Sequence, residues 1–342
     1  MNKPTPRNTT ARWRVGVLAG LMALTGVLAG CSQPSTGTNP SETSPVQAST
    51  TVGLTYIPNI QFAPFYLADA EKFLSDNVTV TLRHHGAGEG LFTALGAGEE
   101  QFVVAGGDEI LQARSQGVDI VAVASYYGRY PARIIVPENS PINSVADLKG
   151  HSVGLPGKYG ENWFALLIAL KEAGLTETDV TITEIGYTQQ AALSTGKVDS
   201  VIGFANSDVI NFQTAGFPVK VIDPKVPLVS ICLATTSSYA LDNPEVVKTV
   251  IDGMKYGMQK ALDDPSSALT VAANYIPSFR GDVLATAEKV LPATSALFQD
   301  ASGKLSPPFD PAQWTAMAEA MGSVNLIPAG TDPAPAFTND YS

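Results

Sequence analysis

From residue 52 onward the chain alternates short β-like runs with helix-length segments, and this alternation restricts the fold more than any other feature of the 342 residues. The strand-like runs are 52–56, 78–83, 102–105, 120–125 and 133–136, then 152–155, 180–185, 200–204, 219–222 and 230–234. Between most of them apolar residues recur at three- and four-residue spacing. Phe65, Leu67, Ala68, Phe73 and Leu74 are one such set, and Phe164, Leu167, Ile168 and Leu170 are another. An α/β chain with mostly parallel sheets flanked by helices is therefore expected. Beyond Leu241 the β signal fades. Helices are expected over 244–263, 265–276, 280–290 and 311–321, and an Asn-Pro or Asp-Pro pair marks most of their starts.

The strands come in two groups, interrupted near Tyr130–Arg133 and again at Asp223–Pro227. Two breaks around a middle block predict one α/β lobe inserted into another. Residues 51–130 and 228–342 would form lobe 1 and residues 131–227 lobe 2, joined by two crossovers. Open parallel sheets bind ligands beyond the carboxyl ends of their strands, so in two facing lobes the strand-end loops meet at a cleft.

Residues 1–30 stand apart. They carry Lys3, Arg7, Arg12 and Arg14 and no acid, followed by an apolar run over 15–29 that is too short for the roughly 20 residues of a spanning helix. A signal peptide is expected, ending in Leu28-Ala29-Gly30-Cys31. This end resembles a bacterial lipobox, in which Cys31 is acylated. Residues 31–50 are almost wholly polar and read as a flexible tether, which makes the protein an extracytoplasmic, lipid-anchored one at the cell membrane. The other cysteine, Cys232, sits in an apolar strand-like context and reads as core. Removing the four leader bases leaves 17 bases against the 32 acids of the whole chain, a balance that disfavours nucleic acid.

The sequence assembles no catalytic group. Gly150-His151-Ser152-Val153-Gly154 matches a serine-hydrolase elbow, but Ser152 would open a strand instead of following one. His84 and His85 are strand neighbours that face opposite sides, and no zinc-type spacing occurs, so no metal site is expected. No Walker A or G-x-G-x-x-G fingerprint is present, and no cofactor is implied.

The strand-end loops are richer. Asn59 and Phe62 follow the first strand with amide and aromatic groups suited to a ligand. Glu89, in a glycine-rich loop, either contacts ligand or stabilises the first turn of the next helix. Asp108 either caps its helix or faces the cleft. Tyr126 and Tyr127 begin the first crossover and suit stacking on a planar ligand. Tyr159, Glu161 and Asn162 lie where a glycine-rich turn enters a helix, and Asn206 follows the strand over 200–204 as a cap or a ligand contact.

Tyr56-Ile57-Pro58-Asn59, Ala63-Pro64-Phe65-Tyr66-Leu67-Ala68, Asn143-Ser144-Val145-Ala146-Asp147-Leu148-Lys149-Gly150, Ser152-Val153-Gly154-Leu155-Pro156-Gly157 and Gly196-Lys197-Val198-Asp199-Ser200-Val201-Ile202 together resemble the solute-binding proteins of ABC importers. The likeness is to the group that covers thiamine-pyrimidine precursors, nitrate, sulfonates and taurine. It implies a two-lobe, type II periplasmic binding fold that closes on a small-molecule solute. It also implies a monomer that serves an ABC permease and its ATPase. Acids and aromatics in the candidate loops favour a planar heterocycle, with a thiamine pyrimidine precursor first and riboflavin, sulfonate, taurine or nitrate as alternatives. A pyrimidine-biosynthesis enzyme on the same fold is the rival class, although the cysteine-rich motif of the yeast-type synthases is missing.

Overall fold

The computed structural model describes residues 48–86 and 89–341. The expected signal peptide and Cys31 lie outside the described residues, as does the tether up to residue 47. Its last three residues are already part of a strand. Ala48, Ser49 and Thr50 pair with Val78, Thr79 and Val80, since β-branched and small residues suit a pleated, half-buried edge.

Ten strands occur among the described residues. They are β1 (Ala48–Leu54), β2 (Val78–His84), β3 (Phe102–Gly106), β4 (Val121–Ser125) and β5 (Ala132–Pro137), followed by β6 (Ser152–Leu155), β7 (Thr181–Glu184), β8 (Ser200–Phe204), β9 (Val219–Ile222) and β10 (Ile231–Thr235). They form two five-stranded sheets in the orders β2-β1-β3-β10-β4 and β7-β6-β8-β5-β9. The chain thus crosses from one lobe to the other after β4 and returns before β10. Both sheets are mixed. β10 runs antiparallel to β3 and β4, and β5 runs antiparallel to β8 and β9, while the remaining pairs are parallel. β3 and β4 are buried throughout, which explains their continuous apolar sequences.

The helices are α1 (Ala63–Ala70), α2 (Thr93–Ala97), α3 (Gly107–Ser115), α4 (Gly160–Glu172), α5 (Gln189–Ser194) and α6 (Asp208–Thr214), then α7 (Ser237–Asp242), α8 (Pro244–Asp263), α9 (Pro265–Ala272), α10 (Asp282–Ser295) and α11 (Pro311–Ser323). α8 is the long amphipathic one. Val246, Val247, Val250, Ile251, Met254, Met258 and Ala261 form its buried stripe. It crosses α1 so closely that any side chain at Gly257 would collide with the Pro64 carbonyl.

One apolar core, built on Phe65, Tyr66, Phe102, Val250, Met254 and Phe298, belongs to the first lobe. A second runs across both lobes without a break. It joins Val103, Ile110 and Leu111 of the first lobe to Ile134, Trp163 and Phe164 of the second, with Trp314 and Met317 of α11 beside them. Each such large side chain contributes roughly 1.5–3 kcal/mol when removed from water. The lobes therefore rest on one another over a dry floor, and the polar loops at their strand ends meet above it.

Candidate functional site

Two helix N-termini face each other between the sheets. β3 leads into α3, and β6 leads through residues 156–159 into α4. Gly106 occupies the N-cap of α3, so Asp108 is not the cap that its sequence context suggests. The backbone N–H of Gly106 donates to Glu109 Oε2 (3.0 Å), and that of Glu109 donates to Asp108 Oδ1 (2.8 Å). Tyr130, on the first crossover, donates from its hydroxyl to Asp108 Oδ2 (2.7 Å) and lies 3.0 Å from the Glu161 carbonyl oxygen. It thereby ties the start of α3 to the start of α4.

The three carboxylates converge on one backbone position. A Cβ added to Gly106 would collide with Asp108 Oδ1 and lie 3.1 Å from both Glu109 Oε2 and Glu161 Cγ, so glycine there makes the room they share. Gly160 serves the same purpose from the other lobe. It has φ +67°, which disfavours a side chain, and a Cβ there would lie 3.1 Å from Glu109 Oε1.

Burial and mutual repulsion set the electrostatics. Asp108 is fully buried, and burial raises its carboxyl to about 7 despite the Tyr130 hydrogen bond. Glu109 rises to about 8, first from burial and then from the charge of Asp108. Glu161 is pushed well above the carboxylate range by burial and by Asp108 and Glu109. A fourth acid, Asp208 at the start of α6, rises to about 6 through burial, although it accepts from the Phe204 N–H (2.7 Å). None of these four acids has an ion pair among the described residues. Arg133 donates to the Tyr130 and Ala132 carbonyls and lies near Asp223, Lys158 pairs with Glu177 over the Trp163 ring, and Arg129 donates to the Asp300 carbonyl.

Asn206, buried after β8, donates from Nδ2 to Thr294 Oγ1 of α10 (3.0 Å), a hydrogen bond from one lobe to the other. The Asn206 amide also lies against the Tyr127 hydroxyl, which burial and the Glu161 charge hold far above its ordinary value. Glu161 Oε1, Asn162 Oδ1, Asn206 Oδ1 and Ser295 Oγ are buried with no hydrogen-bond partner in the protein. Unmet acceptors of this kind cost about 1–3 kcal/mol each, so the cleft is poised for donors from elsewhere. At its rim three tyrosines are exposed: Tyr56 from the first lobe (37%), and Tyr159 (57%) and Tyr187 (67%) from the second. Tyr56 and Tyr187 meet edge-on across the cleft, with ring centroids 6.1 Å apart.

Asp108, Tyr127, Glu161, Asn162 and Asn206 thus come together, with Tyr159 above them. The other expected contacts have partners within the protein. Asn59 caps the short turn Ile60–Phe62 by accepting from the Gln61 N–H, and Phe62 is buried edge-on against His84. α2 begins only at Thr93, so Glu89 is not in a helical first turn; it pairs with Arg83 at 2.7 Å. Tyr126 is in the core, stacked on Tyr127, with its hydroxyl donating to the Gln61 carbonyl (2.6 Å). Glu109, Tyr130, Asp208 and Tyr187 join the cleft residues without being among the expected contacts. Glu109 had a visible signal as the second acid of Gly106-Gly107-Asp108-Glu109, whereas Thr294 and Ser295, inside a helix after Pro292, had none.

The hydrolase elbow falls apart. Ser152 donates to Asp199 Oδ2 (2.7 Å), and His151 lies 3.6 Å from the same oxygen, so the hydroxyl is turned to a carboxylate and not to the imidazole a hydrolase triad requires. Among the described residues no group of three His, Cys, Asp or Glu side chains could hold a metal, and no helix is long and apolar enough to cross a membrane. Two surface concavities of about 300 and 340 Å³, at Asp69–Val80 and between Pro58–Ile60 and α10, lie away from the acids.

Two mixed α/β lobes, joined by two crossovers and meeting at a polar cleft, define the class: a periplasmic-type solute-binding protein. The sequence profile described as NMT1/THI5 like matches residues 59–268, and the chain belongs to that family. It is 31% identical over 307 residues to the riboflavin-binding protein RibY of Chloroflexus aurantiacus, covering 87% of each chain. It is 22% identical over 244 residues to a 4-amino-5-hydroxymethyl-2-methylpyrimidine phosphate synthase of Legionella pneumophila, covering 69% of this chain and 77% of that protein. Among solved structures, the aliphatic sulphonate binding protein SsuA of Escherichia coli superposes with a TM-score of 0.68 at 19% identity, over 86% of this chain and 93% of that one. The chain is accordingly placed among the solute-binding proteins of the ABC-importer family.

Proposed function

We propose that this protein is the lipid-anchored, extracytoplasmic component of an ABC importer that closes its lobes, 51–130 with 228–342 against 131–227, around a planar nitrogen heterocycle. It acts as a monomer, performs no chemistry and delivers the solute to a permease driven by a separate ATPase. The observation that carries this reading is the set of buried acceptors around Gly106, Glu161 and Asn206, which have no ion pair among the described residues and lie beneath exposed tyrosines. N–H and O–H donors along the edge of a ring system satisfy such acceptors, and tyrosine faces stack on the ring. A nitrate or sulfonate would instead bring negative charge to a site already crowded with carboxylates.

Among heterocycles, a flavin is favoured over the thiamine pyrimidine precursor to which the loops alone pointed. The likeness to the riboflavin-binding relative runs over nearly the whole chain, while that to the pyrimidine synthase is lower and shorter. Ligand contacts to both lobes bias the open–closed equilibrium toward the closed form, the species a permease recognises. Calorimetric titration of the purified full-length protein with riboflavin, hydroxymethyl-aminopyrimidine, taurine and nitrate tests the proposal. One-to-one riboflavin binding at about micromolar Kd or tighter (about −8 kcal/mol) supports it. Binding of taurine or nitrate alone overturns it.

A further inference from the structure

We infer that the cleft selects its solute by charge: it takes the neutral form of a ring compound and rejects the same compound once it is phosphorylated. This rests on the heterocycle reading above and adds to it the property by which related solutes are told apart.

The acids come from both lobes, Asp108 and Glu109 from the first and Glu161 and Asp208 from the second, so closure surrounds the ligand with carboxylates. Three basic side chains on the neighbouring segments have partners elsewhere. Arg129 is held by the Asp300 carbonyl, Arg133 by the Tyr130 and Ala132 carbonyls, and Lys158 by Glu177. A separate observation points the same way. Asn206, buried and outside the acidic set, leaves Oδ1 without a partner, and Asn162 does the same. These amide oxygens accept hydrogen bonds from a donor and offer nothing to an anion through that atom. Glu161 Oε1 is likewise unmet, while Asp108 has both its oxygens engaged within the protein. The burial that lifts these carboxyls shows that the cleft tolerates negative charge poorly, a cost that a neutral solute does not meet and an anionic one does. A phosphate monoester carries about −1.5 to −2 charge near pH 7, and among the described residues no Lys or Arg pairs with the cleft acids to balance that charge.

The test uses the full-length protein and three flavins: riboflavin, flavin mononucleotide, and the acetate ester of riboflavin at the hydroxyl that carries the phosphate in the mononucleotide. The acetate resembles the phosphate in bulk and is neutral. Riboflavin and its acetate are expected to bind within about tenfold of each other, and the mononucleotide to bind weaker by a factor on the order of 100. In the Glu109→Gln/Glu161→Gln variant the mononucleotide is expected to gain affinity relative to riboflavin. Equal binding of riboflavin and the mononucleotide overturns charge selection and leaves the proposed function standing. Rejection of the acetate together with the mononucleotide also overturns it, because size then does the sorting. If no flavin binds, the flavin reading fails and the selection fails with it.

Discussion

Replacing Glu161 with glutamine removes one charge from the cleft and keeps its shape, so it isolates the electrostatic cost of bringing the lobes together. In the native protein Asp108 and Glu109 are raised above their unfolded values, to about 7 and about 8, and Glu161 is raised with them. A carboxyl raised on folding contributes its full stability below the unfolded value and loses it as pH climbs through the native one. The unliganded protein should therefore be most stable near pH 5 and weaken toward pH 8. At about 1.4 kcal/mol per pH unit, Asp108 alone accounts for a loss of about 3 kcal/mol, nearly all of it between pH 5 and its native value of about 7. Glu161→Gln deletes repulsion from two neighbours. Unit charges about 6 Å apart at an effective dielectric near 20 repel by about 3 kcal/mol per pair, so the variant should exceed the native protein in stability at pH 8 by up to about that amount for each neighbour, in proportion to the fraction of Glu161 that ionises. At pH 5, where Glu161 holds its proton, the two should agree. Urea unfolding at pH 5, 6.5 and 8 without ligand reads all of this. Native stability that rises between pH 5 and 8, or a variant no more stable at pH 8, would refute the reasoning.

Asn206→Ala removes the hydrogen bond to Thr294 that spans the lobes, and should weaken ligand binding about tenfold, a loss of about 1.4 kcal/mol, and enlarge the scattering radius of the ligand-bound protein. Tyr126→Phe leaves the Gln61 carbonyl without its buried donor and should cost about 1–3 kcal/mol in urea unfolding, with ligand affinity unchanged. Gly257→Ala drives a methyl group into the Pro64 carbonyl and should destabilise by about 1–3 kcal/mol or more, seen as a lower urea midpoint.

Local pattern located the pieces far better than it joined them. β6, β8, β9 and α8 have the expected bounds because their signals are local: a short apolar run between glycines and polar turns, or a proline opening a helix after Asn243. The antiparallel placement of β10 and β5 was not visible, since register between distant segments depends on tertiary packing. The site divides along the same line. Glu161, Asn162 and Asn206 could be read from strand-end loops leading into helices, which is where such folds place their ligands. Phe62 and Tyr126 could not be told from cleft aromatics, because a ring that packs a core and a ring that stacks on a solute follow the same composition rule. Asp108 looked like a cap because Gly106 can fill the N-cap position without any side-chain signature, leaving the carboxylate two residues later free for Tyr130.

The position of β10 bears on how the chain acquires its structure. In the first sheet β4 has one neighbour, β10, and β3 has β10 on its far side. Until residues 231–235 arrive, β4 has no partner strand and β3 presents an open edge, although both were made long before, at 121–125 and 102–106. Such pairings between distant segments slow folding and prolong the exposure of unpaired edges. The first sheet cannot close until the whole second lobe has emerged. A growing chain of this kind keeps a sheet edge unpaired until residue 235 of 342 has been made.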